Sequence, residues 1–432
     1  MYPEDKRIRE TFIGIEETVK INNGKFTKSI NFDNAATTPA FKKVLESVNN
    51  FIPYYGSVSR GEGFKSKVST DIYEKSREKI LELFSLSGRT DYEVIYVKNA
   101  TEGLNKLSNR LITSPNDLVI STRMEHHSND LPWRGKCRLD YIEVDEYGRL
   151  SVDDIEKKLK ENEGQFKYLT ITGASNVTGY VNPVNKIAKL VHKYGGKIIV
   201  DGAQLIPHEK VNMAGLEPGE EIDYLVFSAH KMYAPFGIGV IVALKEGLIH
   251  GEPDYKGGGT VNFVTDDNVI WGEGSSRDEA GTPNLLGVIA LLAAIDEINK
   301  ISYRTIEKRE EWLTRELLRG LNNIGNIDIY GYPYYDGNRL GIGAFNVRGL
   351  WHGHVASLLS ELGGISVRNG CFCAQPYVQR LLNIDNETIE EHFRNPHRIK
   401  EGMVRVSFGV YNTLDEVWRF LNTLEYIAKN YR

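Results

Sequence analysis

The chain has 432 residues, of which 41% are hydrophobic and 26% charged, with a net charge of −5. That is an ordinary globular composition with room for two domains, and it excludes disordered and fibrous classes, a basic nucleic-acid footprint and a polybasic membrane patch. The start is charged with no apolar stretch behind it, and the longest apolar run, 285–295, is far short of the roughly 20 residues of a membrane span, so a cytoplasmic protein acting on small molecules is expected.

Residues 1–30 are polar and mixed, and Phe12, Ile13, Ile15 and Val19 predict a short helix packing on a later domain. Residues 30–39 predict a strand running into a turn of small and amide side chains. Residues 55–67, rich in Gly, Ser and Arg, predict a loop, and 71–83 carry helical apolar spacing at Ile72, Ile80 and Leu83. A strand over 94–97 then meets the polar turn Lys98-Asn99-Ala100-Thr101-Glu102-Gly103 and a helix over 104–111. Such a strand, turn and helix make an anion site, because the first helical N–H groups and the helix dipole point at the ligand. Thr101 either contacts that anion or caps its helix.

The strand expected over 118–122 is followed by His126, the strand over 168–172 by Asn176, and the strand over 197–201 ends on Asp201. A helix is expected over 184–194 between the last two. Strands over 224–227 and 239–243 bracket a turn that holds Lys231. An amine between two buried strands is either salt-bridged or has its pKa lowered for Schiff-base chemistry. Strand-end Asp201 followed by Ser-Ala-His-Lys at 228–231 is the arrangement a pyridoxal phosphate enzyme needs, lysine for the aldehyde and aspartate for the ring nitrogen. Alternating strands and helices predict a largely parallel sheet with ligands outside its carboxyl edge.

A helix over 285–300 leads to a smaller domain, with strands near 327–330, 344–347 and 404–408 and a closing helix over 414–428. Between them, Gly370-Cys371-Phe372-Cys373-Ala374-Gln375-Pro376 predicts a mobile loop with an accessible thiol. Three cysteines, Cys137, Cys371 and Cys373, point to free thiols rather than a disulfide frame. No second pair stands at metal spacing, so no metal site is expected.

Taken together, Asp-Asn-Ala-Ala-Thr-Thr-Pro at 33–39, Ala-Thr-Glu at 100–102, Glu-His-His at 125–127 and Ser-Asn-Val-Thr-Gly at 175–179 form a specific set. Asp-Gly-Ala-Gln at 201–204, Ser-Ala-His-Lys at 228–231, Ala-Gly-Thr-Pro-Asn at 280–284, Cys-Ala-Gln-Pro at 373–376 and Arg-Val-Ser at 405–407 extend it. On these motifs, residues 31–425 resemble the class V aminotransferase-fold enzymes, and among them the SUF-type cysteine desulfurases and selenocysteine lyases. The resemblance implies an α/β, fold type I pyridoxal phosphate-dependent transferase. Its large domain, 31–290, would hold a mixed, mostly parallel sheet with helices on both faces. A smaller α+β domain, 291–432, would carry the cysteine loop, and segment 1–30 would pack on it.

The resemblance also implies roles. Lys231 would be the Schiff-base lysine, His126 the imidazole stacked on the ring and Asp201 the partner of the ring nitrogen, with Asn176 and Gln204 near the phenolic oxygen. Thr101, Ser228 and His230 would bind the phosphate of pyridoxal 5′-phosphate, joined by Thr282 from the other subunit of a homodimer. Arg405, with Asn176, would bind the carboxylate of L-cysteine, and Cys373 would take its sulfur as a persulfide for an acceptor protein. Independently of the resemblance, a thiol mostly protonated at neutral pH wants a cation or proton acceptor near it, and Arg368 is the candidate. Three positions depart from the pattern. Ala100 stands where a threonine is usual, Cys371-Phe372 where histidines are frequent in a loop similar to that of molybdenum cofactor sulfurases, and an extra segment lies between Pro376 and Arg405. Rival expectations are another reaction of this class (C–S lyase, selenocysteine lyase, amino-acid epimerase) and a catalytically silent scaffold.

Overall fold

A computed structural model describes residues 3–59, 61–249 and 251–431. Seven strands build the central sheet: β1 (Tyr92–Val97), β2 (Leu118–Thr122), β3 (Arg138–Ile142), β4 (Phe166–Thr172), β5 (Lys197–Asp201), β6 (Tyr224–Ser228) and β7 (Gly239–Leu244). Their order is β1-β7-β6-β5-β4-β2-β3. From β6 to β3 all neighbours are parallel, whereas β7 is antiparallel to both β1 and β6. Parallel pairing needs a crossover on a face of the sheet, and a short return produces an antiparallel neighbour. The return from β6 to β7 holds Lys231. Every residue of β2 and β6 is buried, as strands covered on both faces require.

Because β2, β4, β5 and β6 run the same way, the residues that end or follow them, Asp201 on the one hand and His126, Asn176 and Lys231 on the other, emerge at one edge. A second sheet of β8 (Ile327–Tyr330), β9 (Ile342–Val347), β10 (Arg368–Gly370) and β11 (Met403–Ser407) is antiparallel in the order β8-β9-β11-β10. Phe345, Val404, Val406 and Phe420 belong to its separate apolar core. Helix α1 (Ala100–Leu111) follows β1, and α2 (Leu285–Ile301) and α3 (Tyr303–Asn323) lead into the second sheet. Around the cysteine loop lie α4 (Gln375–Leu381) and α5 (Asn386–Arg394), and α6 (Leu414–Asn430) closes the chain. Among the described residues no helix is long and apolar enough to cross a membrane, and no His, Cys, Asp and Glu cluster is suited to a metal ion.

Two local expectations are corrected. The N-terminal helix is Pro3–Arg9, not a helix through Phe12 to Val19. Phe12 instead stacks on Phe41 with ring centroids 4.5 Å apart, Gly14 turns the chain at φ 74°, and Val19 lies in a short strand. Aromatic packing overrides the local apolar spacing there. Arg9 nonetheless ties the segment down, donating to Glu416 at 2.8 Å and to the Tyr411 carbonyl at 2.9 Å. The second correction concerns α1, which starts at Ala100 rather than Leu104. Its cap is Asn99, whose side chain accepts from Glu102 N at 3.0 Å, so Thr101 is not the capping residue.

Candidate active site

A cleft of about 350 Å³ opens where the carboxyl edge of the large sheet meets β10, β11 and the cysteine loop. Lys231 lies on its floor. Burial pulls its pKa down to about 8, with Asp201 opposing and Arg405 reinforcing the shift. Among the described residues its amine has no hydrogen bond or ion pair, so of the two readings left open by the sequence the structure favours the depressed, unpaired lysine. Asp201 is buried, and burial pushes its carboxyl up even though Ala203 N donates to Oδ1 at 3.0 Å and Lys231 pulls it down. His126 accepts at Nδ1 from Ser128 N at 3.1 Å, which leaves its proton on Nε2. Burial, then the charges of Lys231, His127 and Arg405, drives its pKa to about 3, so the ring is neutral.

The first turn of α1 faces the same cleft. Ala100 N donates to Ser228 Oγ at 2.7 Å, and the hydroxyls of Thr101 and Ser128 are 2.7 Å apart. This turn sits tightly on the sheet because two glycines allow it. A Cβ on Gly103 would lie 2.5 Å from Val226 Cγ1, and one on Gly239 would lie 2.7 Å from Asn99 Cα. His230 is neutral as well, lowered to about 4 by burial and Lys231, and its Nδ1 is 3.2 Å from Thr37 Oγ1. Thr282 is not brought in. It is exposed and borders a separate hollow with Lys98, Tyr255 and Asn284.

At the other end of the cleft Arg405 is buried, and its guanidinium is organised by β-sheet register. Arg368 and Arg405 are direct partners across β10 and β11, so both side chains leave the same face. Asp33 lies between them, 2.6 Å from Arg368 and 3.3 Å from Arg405. Arg405 also donates to the Asn176 carbonyl at 2.8 Å and stacks 4.9 Å over the Phe372 ring. Burial lowers its pKa to about 10 against the pull of Asp33. Its Nε is buried with no partner among the described residues, as is Gln204 Oε1, whose amide nitrogen is taken by the Ala35 carbonyl at 2.7 Å.

The cysteine loop closes the cleft in a strained form. Phe372 and Cys373 both have left-handed backbones, φ 52° and 53°. Three bonds hold them there. Asn176 Nδ2 donates to the Phe372 carbonyl at 2.7 Å, His127 N to the Cys373 carbonyl at 2.6 Å, and Gln375 N to His127 Nε2 at 3.1 Å. Cys373 is exposed and borders the cleft with Lys231.

Every candidate residue named from the sequence except Thr282 therefore borders one cleft. Asn176 is there, but its amide is engaged with the loop. Sequence reasoning left Asp33, His127 and Glu125 without roles although they lie in motifs it singled out. Glu125, pushed by burial to about 8, accepts from Thr122, Asn129 and Thr172 N beneath His126. An unpaired amine, a buried carboxylate beside it, hydroxyls at a helix start and orphaned polar atoms on Gln204 and Arg405 suit a phosphorylated aromatic aldehyde with a carboxylate-bearing substrate. The volume is that of a small-molecule site.

Residues 30–420 match the family model described as aminotransferase class-V. A probable cysteine desulfurase of Pyrococcus abyssi is 36% identical over 93% of this chain and 95% of its own length. A cysteine desulfurase of Cronobacter sakazakii is 33% identical over 90% of this chain and 91% of its own. The apo structure of a cysteine desulfurase from Thermococcus onnurineus NA1 superposes with a TM-score of 0.81 at 33% identity, covering 93% of this chain and 95% of that one.

Proposed function

The chain belongs to the class V aminotransferase family, in its cysteine desulfurase branch, and on that premise we propose that it uses pyridoxal 5′-phosphate to take sulfur from L-cysteine, forming L-alanine and a persulfide on Cys373. The observation that carries this reading is that a half-buried lysine with no hydrogen bond or ion pair among the described residues and an exposed thiol border one cleft. Lys231 would bond the cofactor aldehyde, Asp201 would face the ring nitrogen, His126 and Gln204 would contact the ring side, and Thr101, Ser228 and His230 the phosphate. When bound, the cofactor supplies an electron sink for the pair released as the substrate Cα–H bond breaks.

Asp201, buried and beside Lys231, would face the ring nitrogen and as a carboxylate would keep it protonated. Arg405 binds the substrate carboxylate, kept in place by Asp33 and the Asn176 carbonyl. Lys231 Nζ, with a pKa near 8, would take the proton from Cα close to neutrality. Cys373 Sγ, as thiolate, attacks the substrate sulfur; the S–S bond forms as the Cβ–S bond breaks, its electron pair leaves on Cβ, and that carbon takes a proton to become the methyl group of L-alanine. Arg368 and Arg405 supply positive charge beside that thiolate. Thr282, outside the cleft, completes the phosphate site of a second copy, so the working unit is a homodimer. A sulfur-acceptor protein discharges the persulfide, in a cytoplasm that keeps the three free cysteines reduced.

Offered L-cysteine without reductant, the purified enzyme should yield alanine in a single burst equal to the persulfide formed. Pyruvate, ammonia and sulfide in place of alanine would convict it as a C–S lyase.

A further inference from the structure

The cysteine loop sends its two thiols to opposite sides. Cys373 borders the cleft, whereas Cys371 is half-buried and borders a second hollow of about 230 Å³. That hollow is walled by α4 and α5, the latter in the extra segment after Pro376, through Val378, Ile389, His392 and Phe393.

Around Cys371 the groups form a recognisable set. His392 Nε2 is 2.6 Å from Glu401 Oε2, and Cys371 Sγ donates to the Glu401 backbone carbonyl at 3.1 Å. With Nε2 turned to that carboxylate, Nδ1 is the ring nitrogen left to take a proton. Nδ1 is buried and has no partner among the described residues. Burial pushes the Cys371 thiol up, with Lys400 pulling the other way, so this thiol needs a proton acceptor to react.

The backbone supplies the motion. Left-handed conformations at Phe372 and Cys373 send the two cysteine side chains apart. In extended backbone, side chains two residues apart share a face at about 6.6 Å. Relaxing the strained pair therefore brings the sulfurs together, and Cys373 is already among the groups whose charge Cys371 feels.

We propose that Cys371 is a second sulfur station, taking the terminal sulfur from Cys373 and holding it in the hollow beside α5, with His392, oriented by Glu401, accepting the Cys371 proton. The proposal rests on Cys373 carrying the first persulfide. Cys371 thiolate attacks the terminal sulfur; a bond forms between it and Cys371 Sγ as its bond to Cys373 Sγ breaks. The electron pair leaves on Cys373 Sγ, the Cys371 proton goes to His392 Nδ1, and no oxidant or reductant is consumed. Arg405, which interacts with the Cys373 charge, favours that leaving thiolate.

The test is a single turnover of the holoenzyme with one equivalent of sulfur-labelled L-cysteine, alkylated at successive times and mapped by tandem mass spectrometry. In the wild type the label should appear on Cys373 and then on Cys371; in Cys371→Ser it should stay on Cys373. His392→Ala should slow the passage roughly a hundredfold without changing the first alanine burst, and added imidazole should restore it. Label that never leaves Cys373 in the wild type overturns the relay while leaving the desulfurase reading intact. A Cys371–Cys373 disulfide with released sulfide overturns it equally, in favour of simple discharge. Alanine formed by Cys373→Ser at the wild-type rate would sink the underlying reading instead.

Discussion

The sheet-end wall that holds Lys231, Asp201 and His126 and the loop that carries Cys373 border the same cleft but are held in different ways. The wall's side chains stand at or just after strands buried except at half-buried Lys197, and they have displaced pKa values, with Lys231 near 8 and His126 near 3. The loop has two left-handed L-residues, a conformation costing about 1–2 kcal/mol each. It keeps its shape through three hydrogen bonds to Asn176 and His127. Preorganisation suits groups that must meet charge at fixed points, while a thiol that must reach substrate and then leave with its cargo needs a conformation that can be released.

The largest effect should come from the wall. Lys231→Ala should lose the covalent cofactor link, read as no borohydride-fixed adduct by mass spectrometry; reduced cofactor found on Lys197 or Lys245 would displace the site. Next, Asp201→Asn should retain cofactor but lose roughly a hundredfold in turnover, about 3 kcal/mol, the typical worth of one preorganised charge contact. Unchanged turnover would remove its role in holding the ring proton.

The loop should respond more mildly and differently. His127→Ala removes the acceptor for Gln375 N, a bond worth about 1 kcal/mol, and should speed alkylation of Cys373 roughly fivefold while leaving the cofactor spectrum unchanged. A changed spectrum would show that loop and wall are not separable. The smallest effect, nil at neutral pH, is His126 in cofactor-stripped protein. Its folded pKa of about 3 lies below the ordinary 6.5. The unfolded chain thus binds a proton that the folded one refuses, and stability intact above pH 6.5 falls as pH drops toward 3. His126→Asn should flatten that acid limb in denaturant titrations, and an unaltered limb would deny the neutral ring.

Much of the wall was legible locally. β2, β5, β6 and β7 fall on the expected runs, since buried strands leave short β-branched stretches bounded by turn residues. Less legible were β3, half-polar and partly exposed, and β10, too short to leave a pattern. The N-terminal segment misled because Phe12 is recruited by Phe41 and Tyr233 rather than by its own helix.

The sequence by itself determined which reactive groups exist and beside which local elements they stand: Lys231, Asp201 and His126 at or after strand ends, Arg405 within a strand, and the Cys371 and Cys373 pair on a loop. Strand periodicity and turn chemistry act over a few residues, so they are written in the local order of the chain. Only the tertiary structure decided the partnerships: Asp33 between Arg368 and Arg405, Asn176 and His127 on the cysteine loop, His392 on Glu401 beside Cys371. The first of these joins positions 335 and 372 residues apart and His127 reaches Gln375 across 248. Hydrogen bonds over such separations depend on sheet register and on the docking of one sheet against another, and neither leaves a signature in neighbouring residues.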